Sequence, residues 1–306
     1  MRTILSTIFL LAFLYPAMVM SQKIYPLFEK EIPNSKPISV KETRDDKDGR
    51  LRIGQITEPT IEAWLPTKES NTGTAIIIFP GGGYRIVSYS HEGTEVAKKF
   101  QQMGVTAFVV KYRMPDSATM ENPSIGPLQD AQRAIQWVRE RSTEFNVNPE
   151  RVGVLGFSAG GHLASTAGTH FSRSYISNPK AINLRPDFMI LVYPVVTMAE
   201  SFTHAGSVGQ LLGKKPSDDL RSSFSAERNV TPQTPPAFLV HTSADKSVSA
   251  LNSVYLYKAL LENNIKAEMH IYQEGNHGFG LKLPNADEWW MDRCRNWLAA
   301  NGWLKK

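Results

Sequence analysis

The order of apolar segments along the chain constrains the fold more than any other feature of the sequence. Short runs of β-branched and apolar residues alternate with segments whose apolar residues recur at three- and four-residue spacing. This alternation is typical of a parallel sheet with crossover helices. The predicted strands cover 74–79, 105–111, 151–157, 188–192, 237–241 and 267–272. The predicted helices cover 94–103, 128–144, 159–169, 251–263 and 287–300. We therefore predict an α/β fold with one mostly parallel, twisted sheet and helices on both faces, in a single domain.

Two segments stand outside this alternation. Residues 53–65 alternate between apolar and polar side chains, which predicts an antiparallel strand or hairpin at the edge of the sheet. Residues 197–235 are rich in Gly, Pro and Ser, with a short helical pattern at 208–213. We predict that this long segment is an insertion over one end of the sheet, where insertions often shape a pocket.

The first 21 residues have the pattern of a signal peptide. Arg2 precedes an apolar run from residue 4 to residue 20, and the small residues Val19 and Ser21 suit a signal peptidase site. We expect cleavage after Ser21 and a secreted or periplasmic protein. An uncleaved membrane anchor is the alternative, but the run is broken by Pro16 and is at the lower limit for a membrane span.

Charge and cysteine content exclude several classes of function. Lys and Arg total 34 against 29 Asp and Glu, a formal charge of +5, but the basic residues are interleaved with acidic ones. Without a basic stripe or arm, nucleic acid is not an expected partner. Cys294 is the sole cysteine, which rules out an intramolecular disulfide and a cysteine-based zinc site.

Residues 156–160 carry the strongest chemical signal. They read Gly-Phe-Ser-Ala-Gly, a G-x-S-x-G motif placed directly after a predicted strand and directly before a predicted helix. In this setting a tight turn exposes the serine hydroxyl over the end of the sheet, and the flanking glycines relieve crowding against the neighbouring backbone. We predict that Ser158 is a nucleophile. The alternative is a glycine-rich turn that only packs a helix on a strand.

A serine nucleophile needs a histidine base and an acid that orients it. Of the seven histidines, His277 lies in a glycine-flanked loop after the strand 267–272, whereas His91 and His162 flank helix starts and suit packing or capping. Asp245 follows the strand 237–241, which gives the order Ser, Asp, His along the chain. Asp218 and Asp219 are alternative acids, but they lie in the insertion.

Three consecutive glycines predict the site that stabilises the oxyanion. Pro80-Gly81-Gly82-Gly83 follows the strand 74–79, and backbone N–H groups without side chains suit a negatively charged intermediate. The predicted donors are the N–H groups of Gly82, Gly83 and Ala159. No Lys-Ser or Lys-Thr follows the glycines, which disfavours a nucleotide-binding loop.

On these motifs the chain resembles α/β-hydrolases of the hormone-sensitive-lipase-like carboxylesterase group, and within it the secreted bacterial esterases of the acetylxylan-esterase-like kind. The motifs that carry the resemblance are residues 79–84, 91–93, 111–113, 130–134, 156–164 and 275–279. Two positions depart from the usual pattern: Pro80 stands where lipase-type members usually have histidine, and Lys246 stands where many relatives have a second acid. The proline favours the carbohydrate-esterase branch.

The resemblance implies a catalytic domain over 60–306, preceded by an N-terminal extension with edge strands at 22–59. It implies a serine esterase that removes short acyl groups, acetyl above all, from carbohydrate such as acetylated xylan, with no metal or organic cofactor. A general carboxylesterase, a feruloyl esterase or a serine peptidase would use the same triad, and a non-catalytic binding protein is the alternative outside enzymes. Aromatic residues that could stack on sugar, or could equally be structural, are Tyr84, Tyr89 and Tyr112.

Overall fold

The computed structural model of the protein describes residues 22–38, 40–283 and 290–304. The predicted signal peptide, and residues 287–289 of the last predicted helix, lie outside the described residues. The predictions for the rest of the chain can be compared with the structure element by element.

The described residues form two β-sheets. Their strands are β1 (Lys23–Pro26), β2 (Thr43–Asp45), β3 (Arg52–Gly54), β4 (Thr60–Trp64), β5 (Ala75–Phe79), β6 (Ile86–Val87), β7 (Thr106–Lys111), β8 (Val152–Phe157), β9 (Met189–Val192), β10 (Ala237–Thr242) and β11 (Ala267–Tyr272). The large sheet has eight strands in the order β1-β4-β7-β5-β8-β9-β10-β11. From β7 to β11 all neighbours are parallel, so the predicted mostly parallel sheet is confirmed.

Helices connect these parallel strands. They are α1 (Glu95–Gln102), α2 (Gly126–Glu140), α3 (Ser158–Thr169), α4 (Ala205–Leu212), α5 (Asp218–Ser223), α6 (Leu251–Glu262) and α7 (Trp290–Ala300), with a π-helical turn at Ser90–Thr94 and 3₁₀ turns at Pro123–Ile125 and Ala226–Arg228. Strands β5, β8 and β9 are buried at every position. Strands covered on both sides lose the alternation of apolar and polar residues, which is why they read as continuous apolar runs in the sequence.

Residues 53–65 contain the antiparallel strand that the sequence predicts, β4, but they do not form the alternative hairpin. Strand β3 and strand β4 do not form a hairpin, because they belong to different sheets. Strand β4 is antiparallel to β7 and lies one position inside the edge, which is formed by β1. Register is set by partners far away in the chain, and local alternation does not reveal them.

The small sheet joins the N-terminal extension to the loop that follows β5. Its strand β3 pairs with β2 on one side and with β6 on the other, both antiparallel. Strand β6 begins three residues after Gly83. The extension is therefore hydrogen-bonded to the segment that carries the three glycines.

The segment 197–235 contains α4, α5 and the second 3₁₀ turn, so it is more ordered than the single short helix predicted at 208–213. It stands between β9 and β10, at the carboxyl end of the sheet, where the chemistry-bearing residues predicted from the sequence also lie. In parallel α/β sheets this end is where ligands bind.

Candidate active site

Ser158 is the first residue of α3 and directly follows β8. Its φ of +52° lies in the left-handed region, where a non-glycine residue is strained and is held only by its surroundings. The glycines on either side are required by space: a Cβ on Gly156 would lie 2.1 Å from the carbonyl oxygen of Gly160, and one on Gly160 would lie 2.0 Å from that of Phe79. The turn therefore holds the serine at the carboxyl end of the sheet, as its motif predicts.

The structure brings His277 and Asp245 to this serine. His277 Nε2 lies 2.8 Å from Ser158 Oγ, and His277 Nδ1 lies 2.6 Å from Asp245 Oδ2. The serine is almost fully buried and the Asp245 side chain is inaccessible to solvent, whereas 21% of the His277 side chain is exposed. Both distances are those of hydrogen bonds, so the three side chains form one continuous series.

Asp245 is held as a carboxylate. Its Oδ1 accepts hydrogen bonds from the backbone N–H groups of Ser247 and Val248, each at 2.9 Å. The buried His241 places Nε2 3.3 Å from Oδ2. Burial alone would raise the pKa of Asp245, but the hydrogen bonds from His241 and His277 outweigh it and hold the pKa well below its usual value. The charge beside His277 is thus maintained throughout the neutral range.

The alternative acids do not reach the serine. Asp218 and Asp219 are exposed and form the first turn of α5, where a negative charge stabilises a helix N-terminus. They are not hydrogen-bonded to any of the seven histidines within the described residues. The structure therefore separates them from the site that holds Asp245.

The glycine loop lies against the nucleophile turn. A Cβ on Gly81 would stand 2.8 Å from Ser158 Cβ, and Gly82 and Gly83 have φ values of +137° and +63°. Among the described residues, no acceptor is hydrogen-bonded to the N–H of Gly82 or Gly83. Ala159 occupies the first turn of α3, where backbone N–H groups have no partner within the helix. Donors for an oxyanion are therefore present on the two sides of Ser158 that the sequence predicts.

Glu92 and Tyr193 connect the glycine loop, residues 80–84, with the loop around His277. Neither residue was assigned a role in the site from the sequence. Glu92 lies in the π-helical turn and is 4% exposed. Its Oε2 accepts the N–H of Gly81 at 2.7 Å, and its Oε1 accepts the hydroxyl of Tyr193 at 2.7 Å. The Tyr193 oxygen in turn accepts the N–H of Gly280 at 3.0 Å, and its ring packs 4.9 Å from the His277 ring.

Burial determines the protonation of the Tyr193 hydroxyl. Burial, followed by the charge of Glu92, raises the pKa of Tyr193 well above its usual value. The phenol therefore remains protonated, and a donor to Glu92, throughout the neutral pH range. In the sequence, Glu92 is marked only as part of residues 91–93, one of the motifs that carry the family resemblance. Tyr193 is the residue that follows β9 at the end of the sheet.

His162 supports the glycine loop through the hydroxyl of Tyr84. It is fully buried, with Nδ1 2.7 Å from the Tyr84 hydroxyl and Nε2 2.7 Å from the carbonyl oxygen of Phe224 in the insertion. The carbonyl can only accept, so Nε2 carries the proton and Nδ1 accepts from Tyr84. Burial lowers the pKa of His162 to about 4, which keeps the ring neutral. The packing role expected for this residue is what the structure shows.

His204 also lies near the triad, although its sequence setting gave no reason to expect it there. Its Cε1 is 4.0 Å from the position of a Cβ on Gly83, and its Nδ1 accepts the N–H of Ser207 at the start of α4. Burial lowers the pKa of His204, and the neighbouring charges of His277 and Arg85 lower it further. A capping histidine in an irregular insertion leaves no periodic signal that would reveal its position.

The three candidate sugar-stacking tyrosines are structural. Tyr84, Tyr89 and Tyr112 are 1%, 8% and 0% exposed, so no ring face is open to a ligand. Tyr112 donates a hydrogen bond to the carbonyl oxygen of Pro80 at 2.8 Å, and Tyr84 donates to His162. The polar ends of Tyr84 and Tyr112 thus hold the glycine loop from inside the protein, whereas the Tyr89 hydroxyl donates to Glu62.

No three His, Cys, Asp or Glu side chains are grouped so that they could hold a metal ion in the described part of the chain. Across residues 22–38, 40–283 and 290–304, no helix has the length and apolar character needed to cross a bilayer.

Comparison with known proteins identifies related chains. A family model described as BD-FAE matches residues 61–260. The chain is 35% identical to endo-1,4-beta-xylanase B of Butyrivibrio fibrisolvens over 72% of its length, and 35% identical to an acetylxylan esterase of Xylanibacter ruminicola over 76%. It spans only 34% and 46% of the length of these two relatives.

Solved structures show the same fold. An acetyl ester-xyloside bifunctional hydrolase from Caldicellulosiruptor lactoaceticus aligns with a TM-score of 0.76 at 35% identity, covering 92% of this chain and 97% of that one. A carboxylesterase from Lactobacillus plantarum aligns with a TM-score of 0.66 at 23% identity, covering 88% of this chain and 100% of that one. The chain therefore has the α/β-hydrolase fold predicted from its sequence.

Proposed function

The chain belongs to the BD-FAE family, and on that premise we propose that it is a serine esterase that removes acetyl and other short acyl groups from carbohydrate such as acetylated xylan. The observation that carries the proposal is the hydrogen-bonded series from Ser158 through His277 to Asp245, placed beside the free N–H groups of Gly82 and Gly83. A nucleophile, a base, an orienting acid and an oxyanion site are the parts that acyl transfer to serine requires.

In the first half of the reaction, Ser158 Oγ attacks the ester carbonyl carbon while His277 Nε2 takes the hydroxyl proton. The carbonyl oxygen becomes an oxyanion, which accepts hydrogen bonds from the N–H groups of Gly82, Gly83 and Ala159. The Asp245 carboxylate stabilises the imidazolium that forms. The intermediate then collapses, the bond to the sugar oxygen breaks, and His277 returns its proton to that oxygen.

In the second half, water replaces the sugar. His277 takes a proton from the water as it attacks the acyl-serine, and the second tetrahedral intermediate uses the same donors. Collapse of this intermediate releases the carboxylate product, and Ser158 Oγ recovers its proton from His277. The cycle requires no group beyond this chain and water.

The arrangement of the insertion supports a preference for short acyl groups. The apolar residues Val208 and Leu211 of α4 are 4% and 3% exposed, so both side chains pack mainly into the core and leave little apolar surface on this helix for a long alkyl chain. Each methylene buried in a matching pocket would contribute about 0.8 kcal/mol. With so little apolar surface on α4, longer acyl chains gain little there from their length.

Acetate release from acetylated xylo-oligosaccharides tests the proposal directly. We expect acetate to be released, and the specificity constant on 4-nitrophenyl esters to fall from acetate to octanoate. A specificity constant that rises towards octanoate would contradict the short-acyl preference. Release of ferulate from feruloylated arabinoxylan, or of amines from peptides, in preference to acetate would support a feruloyl esterase or a peptidase instead.

We also propose that the protein is exported. Support comes from the sequence of residues 1–21, with Arg2 before an apolar run and a small residue at Ser21. Expression of the full chain in a bacterial host should yield a mature protein whose N-terminal residue is Gln22, as read by mass spectrometry. An intact N-terminus in the membrane fraction would support the anchor alternative.

A further inference from the structure

A cleft of about 550 Å³ opens beside the oxyanion loop and has no part in the mechanism above. Five separate segments form it: the N-terminal extension, the glycine loop through Arg85, the loop that follows β7, the end of α4, and α5 through Leu220. Its volume lies within the range of about 300–1,000 Å³ that is usual for small-molecule sites.

The cleft adjoins the candidate active site. Arg85 lines the cleft and stands two residues after Gly83 in the glycine loop. Its guanidinium lies 3.6 Å from the position of a Cβ on Gly206, and the neighbouring His204 faces Gly83. Because the His204 ring lies 4.0 Å from the Cβ position of Gly83 and 3.1 Å from that of Gly206, which Arg85 also approaches, the Arg85 end of the cleft adjoins the glycine loop beside Ser158.

The polar groups of the cleft are available to a ligand. Gln55, Arg85 and Gln210 are exposed, and among the described residues their side chains make no hydrogen bond or ion pair. Gln55 has a φ of +54° between the buried Ile53 and Ile56. A left-handed glutamine is strained, so its backbone is held by its anchored neighbours and not by its own preference.

The charge of the lining indicates the class of ligand. Arg85 and Asp116 are the charged residues among the described residues that line the cleft, so the charge of the lining sums to zero. Amides and hydroxyls from Gln55, Thr57, Ser117 and Gln210 supply both donors and acceptors. Apolar side chains, among them Ile56, Met114 and Leu212, make up much of the remaining lining. A neutral sugar chain, which presents both hydroxyl groups and apolar C–H faces, matches this mixed lining better than an anion.

We propose that this cleft binds the sugar residues that adjoin the acylated one in an oligosaccharide, with Arg85 at the junction. The inference rests on the proposed function, because it takes the acyl group to be cleaved at Ser158 while the glycan continues into the cleft. A single acylated sugar would leave the cleft empty, so binding there favours chains over monosaccharides.

The test compares acetylated xylotetraose with acetylated xylose. Wild-type kcat/KM should be at least about tenfold higher on the tetramer. Gly209 lines the cleft at an exposed position of α4, and a Cβ there would meet nothing within 4 Å. We expect Gly209→Leu to lower the ratio of the tetramer value to the monomer value by about tenfold, because the added side chain obstructs the cleft. Ser201→Leu, an equally bulky change at an exposed position of the insertion outside the cleft, should keep the wild-type ratio.

The outcomes separate the two proposals. Equal kcat/KM on the two sugars, or an equal ratio in the two leucine variants, would overturn the cleft and leave the esterase proposal standing. Hydrolysis of 4-nitrophenyl acetate with no acetate from either sugar would overturn the carbohydrate substrate, and the cleft with it. A tetramer preference that Gly209→Leu removes and Ser201→Leu retains supports both.

Discussion

The acid–base side of Ser158, made of Asp245 and His277, is held differently from its oxyanion side, made of residues 80–84. Asp245 and His277 lie in the loops that follow β10 and β11, three and five residues after the strands end, and they are hydrogen-bonded to each other at 2.6 Å. The oxyanion side is instead fixed by buried side chains from other parts of the chain. Those side chains are Glu92, Tyr112 and His162.

The groups proposed to react and the groups that hold the backbone donors in place are therefore positioned in different ways. Reacting groups stand at strand ends, where a short loop can present them at a fixed height above the sheet. The backbone donors of the oxyanion loop cannot be placed by their own side chains, because glycine has none. Their geometry depends on hydrogen bonds made by residues behind them, and buried polar groups of this kind are stabilising only when they are paired.

The largest expected effect on activity is at Ser158, which lies between the acid–base side and the oxyanion side. Ser158→Ala removes the nucleophile, and turnover of 4-nitrophenyl acetate should fall by at least about 10³-fold, because binding and the oxyanion site alone supply only residual catalysis. Circular dichroism should match that of the wild type. Activity near the wild-type level would exclude the serine mechanism.

On the acid–base side, Asp245→Asn should lower kcat by about 10²- to 10³-fold, because the amide cannot stabilise the imidazolium and favours the wrong tautomer of His277. Asp219→Asn is the matched control, since Asp219 is exposed at the start of α5. It should retain activity within about twofold of the wild type. A larger loss in Asp219→Asn than in Asp245→Asn would show that the acid is misassigned.

The sequence predicts the placement of Asp245 and His277 beside Ser158 but not the residues that hold the glycine loop, and the reason is physical. The order Ser158, Asp245, His277 could be predicted because each residue follows a recognisable strand, and strand ends of a parallel sheet meet at one edge. The roles of Glu92 and Tyr193 could not be predicted, because the hydrogen bonds from Gly81 and from Tyr193 to Glu92 join residues 11 and 101 positions apart and follow no local pattern. The position of His204 could not be predicted because it lies in an irregular insertion.

The same distinction between local and long-range signals applies to the prediction of the fold. Each buried strand of the parallel sheet was located to within one residue at each end, because a continuous apolar run has clear ends. Between an antiparallel strand and a hairpin, local alternation over residues 53–65 could not decide, because antiparallel register depends on distant partners. Local pattern thus predicts elements, and long-range pairing decides how they meet.

On the oxyanion side, Glu92→Gln tests whether support contributes to catalysis. A neutral amide can accept only one of the two hydrogen bonds that Gly81 and Tyr193 now donate, so the loop loses part of its position. We expect kcat for 4-nitrophenyl acetate to fall about tenfold while KM changes less than about threefold, since misplaced donors weaken the transition state more than substrate binding.

Tyr193→Phe provides the comparison, because it removes the hydroxyl that joins Glu92 to Gly280. If the two residues act through one connection, the double variant should lose little more kcat than Glu92→Gln alone. Fully additive losses would indicate that Glu92 and Tyr193 support the site separately. An unchanged kcat in both single variants would contradict a role in positioning.

The smallest effect at neutral pH concerns His162, and it appears in stability as the solution becomes acidic. Burial holds the pKa of His162 at about 4 in the folded protein, against the usual 6.5 in the unfolded chain. Between these two values the unfolded chain binds the extra proton, so the free energy of unfolding falls as the pH decreases from 6.5 to 4. This residue alone accounts for at most about 3 kcal/mol of that fall.

His162→Gln removes the titrating group and should reduce the pH dependence of the unfolding free energy, measured by urea denaturation at pH 6.5, 5.5 and 4.5. The variant is expected to be less stable than the wild type at pH 6.5, because glutamine cannot reproduce both hydrogen bonds to Tyr84 and Phe224. His270→Gln is the control, since 26% of that side chain is exposed on β11, and it should keep the wild-type slope. If the slope of His162→Gln equals that of the wild type, the buried imidazole does not titrate with unfolding. A shallower slope would show that the contact between the oxyanion loop and the insertion is the acid-sensitive part of the site, whereas the carboxylate of Asp245 keeps its charge well below that pH range.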